Sequence, residues 1–257
     1  MSKIVSLFSY PLKSGRGNEL QEALGDKNGL YGDRHLVVLN QSDASLFSLR
    51  DNPVLSDISI TQCNKGVSVT TGDTQTFIEC SFDRALQAKI WSRSVAVNIA
   101  SDAVNDFFSD LLSAEVYLAE QHQSMFQTLM DTGPVHILSL SDLNKLKDMC
   151  DLSDLDPRIF RPNIVVDTLD FMGGTIPDAL EINGCKFTVV ETTERCNAVS
   201  IMHKKIHGLN ASNIVSTLNR ASKFKGPYFG VYLRAEKQFS MKVGDSVKTH
   251  QLNLEQI

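Results

Sequence analysis

The chain has 257 residues, of which 42% are hydrophobic and 21% charged, as in a folded globular protein and unlike a disordered or collagen-like chain. A formal net charge of -5 argues against a basic face for nucleic acid. The sequence contains no run of about 18 apolar residues and no signal-peptide cleavage pattern near Met1, so we expect a cytoplasmic protein without a membrane span.

Short strand patterns dominate the chain, and the first follows Met1 directly. Residues 58–70 alternate between apolar and polar side chains around Asn64-Lys65-Gly66, which is typical of a β-hairpin. A second hairpin is predicted over residues 180–190, where Asn183-Gly184 favours a tight type I′ turn. These patterns predict a mainly β fold with a few helices, of the α+β class.

Two helices are predicted to interrupt the strands. The first begins near Ser101-Asp102, and the second begins at Ser141. A strand-like segment and then the polar residues 120–124 follow the first helix, which predicts two domains, residues 1–121 and 122–257. The apolar residues expected to face the core are Val104, Phe107, Phe108, Leu111 and Leu112 in the first helix, and Leu143, Leu146 and Cys150 in the second.

Two candidate anion-binding segments lie near the start of the chain. Lys13 and Ser14 end the segment Tyr10–Ser14, where a loop can offer an ammonium, a hydroxyl and backbone N–H groups to a phosphate. The alternative for Lys13 is a solvated lysine. Arg34 precedes an apolar run, and it either pairs with Asp33 or binds an anionic ligand.

Two further candidate segments lie in the second half. Gly133, in the turn 131–134, lets a ligand approach the backbone closely, although an ordinary turn is the alternative. Arg161 and Asn163 offer a planar guanidinium and an amide that suit a phosphate or a polar ring. The alternative for Arg161 is an ion pair with Asp156 or Asp170.

Cys196 is the candidate metal ligand, because a thiolate is a soft donor for a transition metal. The chain has 5 cysteines, and none are spaced C-x-x-C, which excludes a zinc ribbon or a plant-type iron-sulfur cluster. We interpret the other cysteines as structural thiols.

These motifs together resemble the MOSC proteins, in the branch that also carries an N-terminal MOSC β-barrel domain and includes the YcbX-type proteins and the mitochondrial amidoxime-reducing component. The resemblance implies an N-terminal MOSC-type β domain and a C-terminal MOSC β-barrel with a cofactor cleft between them. The segments that carry it are Tyr10–Ser14, Gly32–Arg34, Ile90–Ser92, Asp131–Pro134, Phe160–Asn163, Arg195-Cys196, Phe229-Gly230 and Val243–Asp245.

The resemblance also implies a molybdenum cofactor, in which molybdenum is bound by molybdopterin. Cys196 would be both the metal ligand and the catalytic centre. The implied activity is molybdenum-dependent reduction of N-hydroxylated compounds such as amidoximes, hydroxylamines and N-hydroxylated bases, with electrons from a separate flavin or iron-sulfur protein. The implied cofactor-binding residues are Lys13, Ser14, Arg34, Thr132, Gly133, Arg161, Asn163 and Arg195.

The sequence departs from the family pattern after Cys196. Relatives continue with two threonines and an Asp-Pro or similar turn, whereas this chain continues with residues 197–203, Asn-Ala-Val-Ser-Ile-Met-His. The lysines within residues 202–207 predict a solvated loop. The departure keeps two alternatives open: a carrier that binds the molybdenum cofactor without turnover, and a sulfur carrier with a persulfide on Cys196.

Overall fold

The computed structural model describes residues 1–122, 129–174, 176–208, 213–221, 223 and 226–251. The strands, in chain order, are β1 (Ser2–Ser9), β2 (Asn18–Leu20), β3 (Glu22–Asp26), β4 (Gly29–Leu30), β5 (Leu36–Asn40), β6 (Ile58–Cys63), β7 (Gly66–Thr71), β8 (Thr74–Glu79), β9 (Phe82–Ile90), β10 (Arg93–Ala100), β11 (Val116–Gln121), β12 (Val135–Ser139), β13 (Ile164–Val166), β14 (Ala179–Ile182), β15 (Cys185–Glu194), β16 (Tyr228–Ala235), β17 (Phe239–Lys242) and β18 (Ser246–His250). The helices are α1 (Asp102–Leu112), α2 (Leu140–Met149), α3 (Ala198–His207) and α4 (Ile214–Ala221), with 3-10 turns at Pro53–Asp57 and Pro157–Phe160.

The chain folds into two compact units that each combine separate stretches of sequence. The barrel unit contains Met1–Ser9, Glu19–Tyr31 and Asp131–Ile257, and the sheet unit contains Tyr10–Asn18 and Gly32–Met130. The predicted boundary region, residues 120–124, lies partly outside the described residues, and the division at residue 121 stays a prediction.

The barrel unit is built on a closed 7-strand barrel. Its strands follow the order β13-β12-β16-β15-β14-β18-β1, and pairing of β1 with β13 closes the ring. Alternate residues of a strand point to opposite faces, so each strand sends every second side chain inward. Fully buried inward residues include Leu7, Ile137, Ile164, Val231 and Leu233. Burial of this apolar surface is the main force that holds the barrel together.

The carboxylate of Asp167 bonds the start of β1 where that strand pairs with β13. Asp167 Oδ1 accepts hydrogen bonds from Ser2 Oγ at 2.5 Å and from the Lys3 backbone N–H at 2.8 Å. The Ser2 hydroxyl and then this backbone N–H lower the pKa of Asp167 to about 2, because both stabilise the charged form.

The sheet unit contains two antiparallel sheets, β5-β11-β10-β9 and β6-β7-β8. Helix α1 packs on them and contributes Val104 and Phe108 to a core that includes Leu36, Val38 and Leu118. None of the helices in the described part of the chain has both the length and the hydropathy needed to cross a bilayer.

The structure confirms most of the predicted elements. Both hairpins form, and Asn183 and Gly184 have φ angles of 48° and 69°, as a type I′ turn requires. Helix α1 begins at Asp102 as predicted, whereas α2 begins at Leu140, one residue before the predicted start. The prediction of a solvated loop at residues 202–207 is wrong, because this segment lies within helix α3.

Candidate functional site

Cys196 lies between the end of β15 and the start of α3, in the barrel unit. Its thiol is free and exposed. The Arg195 backbone N–H donates to the Pro227 oxygen at 2.8 Å, and the Cys196 oxygen accepts from the Val199 N–H at 3.2 Å. The thiol is therefore accessible on a turn whose backbone is bonded on both sides. Among the described residues, no group of three or more His, Cys, Asp and Glu side chains is arranged to hold a metal ion.

Arg195 directs its guanidinium toward acceptors of its own unit. Nε donates to the Phe229 oxygen at 3.0 Å, Nη2 donates to the same oxygen at 2.7 Å, and Nη1 donates to the Phe160 oxygen at 3.1 Å. Nη2 also hydrogen-bonds Nε2 of His136. Arg195, the residue directly before Cys196, thus connects β16, the 157–160 turn and β12.

His136 is the central residue of this contact, and it was missed in the sequence analysis. Its neighbours Val135 and Ile137 belong to the barrel core, so the imidazole points out of the barrel, yet only 1% of the residue is exposed. Because a guanidinium can only donate, Nε2 must be the acceptor. The imidazole is then neutral, and its proton lies on Nδ1, 3.4 Å from the Arg161 oxygen. A polar residue in the apolar run 135–138 was the available signal.

Asn163 uses its side chain inside the barrel unit, where it is fully buried. Oδ1 accepts from the His136 backbone N–H at 3.0 Å, and Nδ2 donates to the Phe8 oxygen at 3.2 Å. Its backbone N–H also donates to the His136 oxygen at 2.7 Å. Asn163 therefore fixes the main chain of His136 from both sides and links β12 to β1.

Arg161 stands on a strained backbone, with a φ of 54° in the left-handed region. The two carboxylates considered as alternative partners both bind other cations: Asp156 pairs with Arg158, and Asp170 pairs with Lys145 at 2.9 Å.

Gly133 and Gly230 make room for two rings. A Cβ on Gly133 would clash with the side chain of Tyr232, and Gly133 is buried whereas Thr132 is exposed. A Cβ on Gly230, where φ is 79°, would lie 2.7 Å from His136 Nε2. The Tyr232 and His136 rings contact each other with centroids 5.4 Å apart. Both glycines thus allow the close packing around His136.

Lys13, Ser14 and Arg34 lie in the sheet unit, where the structure brings their segments side by side. The Arg34 N–H donates to the Tyr10 oxygen at 2.8 Å, and the Arg34 guanidinium lies over the Tyr10 ring at 4.6 Å. Arg34 also pairs with Asp33, so the ion pair considered in the sequence analysis is present. Ser14 is buried and has a φ of 68°.

Lys13 is buried, with 5% of the residue exposed. Its Nζ donates to the Leu129 oxygen at 2.9 Å. The alternative of a solvated lysine is therefore wrong.

A small recess of about 10 Å³, room for about one water molecule, lies beside the end of β15. Glu194, two residues before Cys196, pairs with Tyr228 at its edge. The lining residues are Phe171, Met172, Ile176, Thr192, Tyr228, Phe229 and Gly230.

The protein is mainly β, consists of two compact units and exposes the thiol of Cys196. Comparison with known families identifies two domains along the chain. Residues 1–115 match the MOSC N-terminal beta barrel domain, and residues 127–248 match the MOSC domain. The chain therefore belongs to the MOSC-domain proteins that carry an N-terminal MOSC barrel domain, as the motifs indicated.

The chain is also similar to curated proteins in sequence and to a solved structure in fold. The chain is 25% identical to the mitochondrial amidoxime reducing component 2 of Macaca fascicularis in a gapped alignment of 276 positions that covers 95% of this chain and 82% of the relative. It is also 25% identical to the human mitochondrial amidoxime-reducing component 1 in a gapped alignment of 284 positions with the same coverage. The crystal structure of the YUAD protein from Bacillus subtilis shares the fold, with a TM-score of 0.52 and 10% identity over 98% of this chain and 97% of that one.

Proposed function

We propose that the protein is a molybdenum-cofactor-binding oxidoreductase that reduces N-hydroxylated compounds with electrons from a separate redox partner. Membership of the MOSC family and distant homology to proteins named amidoxime reducing components support this proposal. The structural observation that carries it is the exposed, free thiol of Cys196. This residue directly follows Arg195, whose guanidinium donates to the Phe229 and Phe160 oxygens of the barrel unit.

The chemistry of the donor set fits such a cofactor. An accessible thiol is a soft ligand suited to molybdenum, and the cofactor's phosphate requires positive charge and backbone N–H groups. Cys196 would bind the metal, and Arg161, Lys13 and Arg34 would supply charge. The other residues proposed to hold the cofactor are Ser14, Thr132, Gly133, Asn163 and Arg195, of which Asn163 and Arg195 would act mainly by fixing the protein backbone.

In the proposed mechanism the bound cofactor supplies two-electron redox chemistry, and the protein supplies position and environment. Cys196 would hold the metal as a ligand and would not attack the substrate. Arg195 keeps the Cys196 turn in one conformation.

The test is cofactor analysis of protein from a host that makes the molybdenum cofactor. Wild type is compared with Cys196→Ala and with Cys63→Ala, which removes the other exposed thiol. We expect near-stoichiometric molybdenum and pterin in wild type and in Cys63→Ala, together with reduction of an amidoxime by an artificial electron donor. Cys196→Ala should lose this activity while keeping its fold.

Other outcomes refute the proposal in different ways. Bound cofactor without turnover would favour a carrier. A persulfide on Cys196, detected by mass spectrometry, would favour a sulfur carrier. Wild-type protein that lacks both molybdenum and pterin would refute cofactor binding altogether.

A further inference from the structure

We propose that His136 is a positioning residue, whose neutral imidazole holds the Arg195 guanidinium and so fixes the turn that presents Cys196. This inference deepens the proposed function and rests on it for the role of Cys196, but its structural claim can be tested on protein without cofactor.

The contact requires a neutral acceptor. The Phe229 and Phe160 oxygens receive hydrogen bonds from Nε, Nη1 and Nη2 of Arg195, and the acceptor at His136 receives another from Nη2. A proton on Nε2 would place two donors face to face, and protonation of both ring nitrogens would add a like charge beside the guanidinium. An apolar side chain there would leave the guanidinium without this acceptor.

The imidazole is itself held in place, so that it can orient the arginine. Asn163 bonds the His136 main chain at both N–H and C=O, and the Arg161 oxygen lies near Nδ1. Tyr232 packs against the ring, and Gly230 leaves the space that the ring fills. A rigid acceptor therefore lies at the start of a chain of contacts that runs through Arg195 to the next residue, Cys196.

The geometry also explains why a histidine suits this position. Its two ring nitrogens act in opposite senses, since Nδ1–H faces an oxygen and Nε2 accepts from a cation. The ring thus connects the backbone of Arg161 with the side chain of Arg195. His136 thus aligns two of the predicted cofactor-binding segments of the barrel unit, the one with Arg161 and Asn163 and the one with Arg195.

The experiment measures hydrogen exchange of a peptide that contains Arg195 and Val199, whose backbone N–H groups are bonded on either side of Cys196. The whole chain is produced in a strain that cannot make the cofactor, and a peptide from β6 in the sheet unit serves as the internal reference. His136→Leu removes the acceptor for Arg195 Nη2. His136→Gln returns an amide oxygen near the position of Nε2, whereas the amide of His136→Asn is one methylene too short to reach the guanidinium. Ile137→Val is the control for a general loosening of β12.

We expect His136→Leu and His136→Asn to accelerate hydrogen exchange of the Arg195 and Val199 peptide about fivefold, as the loss of one hydrogen bond would allow, with the β6 peptide unchanged. His136→Gln and Ile137→Val should stay close to wild type. An unchanged exchange rate of this peptide in folded His136→Leu overturns the proposal. An equal acceleration in His136→Gln also overturns it, because packing and not the acceptor would then be responsible. If His136→Leu does not fold, the difference between the rates of His136→Asn and His136→Gln tests the proposal by itself.

A second readout separates this inference from the proposed function. In a cofactor-competent host, His136→Leu should contain less molybdenum than His136→Gln. If wild type contains none, the proposed function fails, while the hydrogen-exchange rates still decide the role of His136.

Discussion

Thr193 provides a sharp test of the energetics near the candidate site, because its hydroxyl is buried without an evident partner. The residue is 2% exposed, and Oγ1 has no hydrogen-bond partner among the described residues. It lies where the pairing of β15 with β16 shifts register, between Thr192 and Glu194. A bulge of this kind re-aims side chains near functional sites.

Thr193→Val keeps the shape of the side chain and removes the hydroxyl. An unsatisfied buried hydroxyl costs about 1–3 kcal/mol, so the free energy of unfolding should rise by about 1 kcal/mol after allowance for relaxation. Thr217→Val is the matched control, since Thr217 is 3% exposed but its Oγ1 accepts from Arg220 Nη2 at 3.2 Å. We expect that variant to lose about 1 kcal/mol.

The assay is urea unfolding followed by far-UV circular dichroism, with hydrogen exchange of β15 and β16 peptides to assign the change to the barrel unit. The opposite signs of the two variants are the decisive result. A Thr193→Val protein that is less stable than wild type would refute the reasoning, because the hydroxyl would then have a stabilising partner.

Two further predictions concern charge. The Ser2 hydroxyl and neighbouring N–H groups hold the pKa of Asp167 at about 2, so this carboxylate stabilises the fold above its unfolded value of 3.8 and loses that effect as the pH falls through about 2. Asp167→Asn should therefore be less stable than wild type at pH 7, and thermal melts in acid should show the gap closing. Arg161→Ala and Arg34→Ala should each lower molybdenum occupancy, since a charge-assisted hydrogen bond is worth about 1.5–3 kcal/mol. Arg158→Ala, which removes an exposed arginine that is not among the proposed cofactor-binding residues, should retain occupancy; a fall as large as in the other two would contradict the assignment.

Local sequence signals predicted the elements that depend on local energetics. The Asn183-Gly184 turn and the start of α1 depend on backbone preferences of a few neighbouring residues. Helix α3 was missed because its lysines suggested a solvated loop. Yet Val199, Met202 and His203 are buried at helical spacing, which is the pattern that could have revealed it.

The candidate site was predictable in its residues but not in their contacts. The motifs identified Asn163 and Arg195, whereas their partners Phe8 and His136 are brought to them only when the barrel forms. Sequence spacing carries no record of such long-range pairs. His136 therefore gave no distinct signal beyond one polar residue in an apolar strand.

This contact pattern changes how positive charge in the motifs should be interpreted. Arg195 directs its donors to protein acceptors, as a planar, permanently charged guanidinium can do at a partly buried position. A lysine there would keep the charge but could not bond Phe229, Phe160 and His136 together. If Arg195 serves as an anchor, Arg195→Lys should disturb the Cys196 turn as His136→Leu does, although the net charge is unchanged. If the charge alone were what mattered, Arg195→Lys would leave hydrogen exchange of the Arg195–Val199 segment as in wild type, and that result would refute the role of the guanidinium geometry.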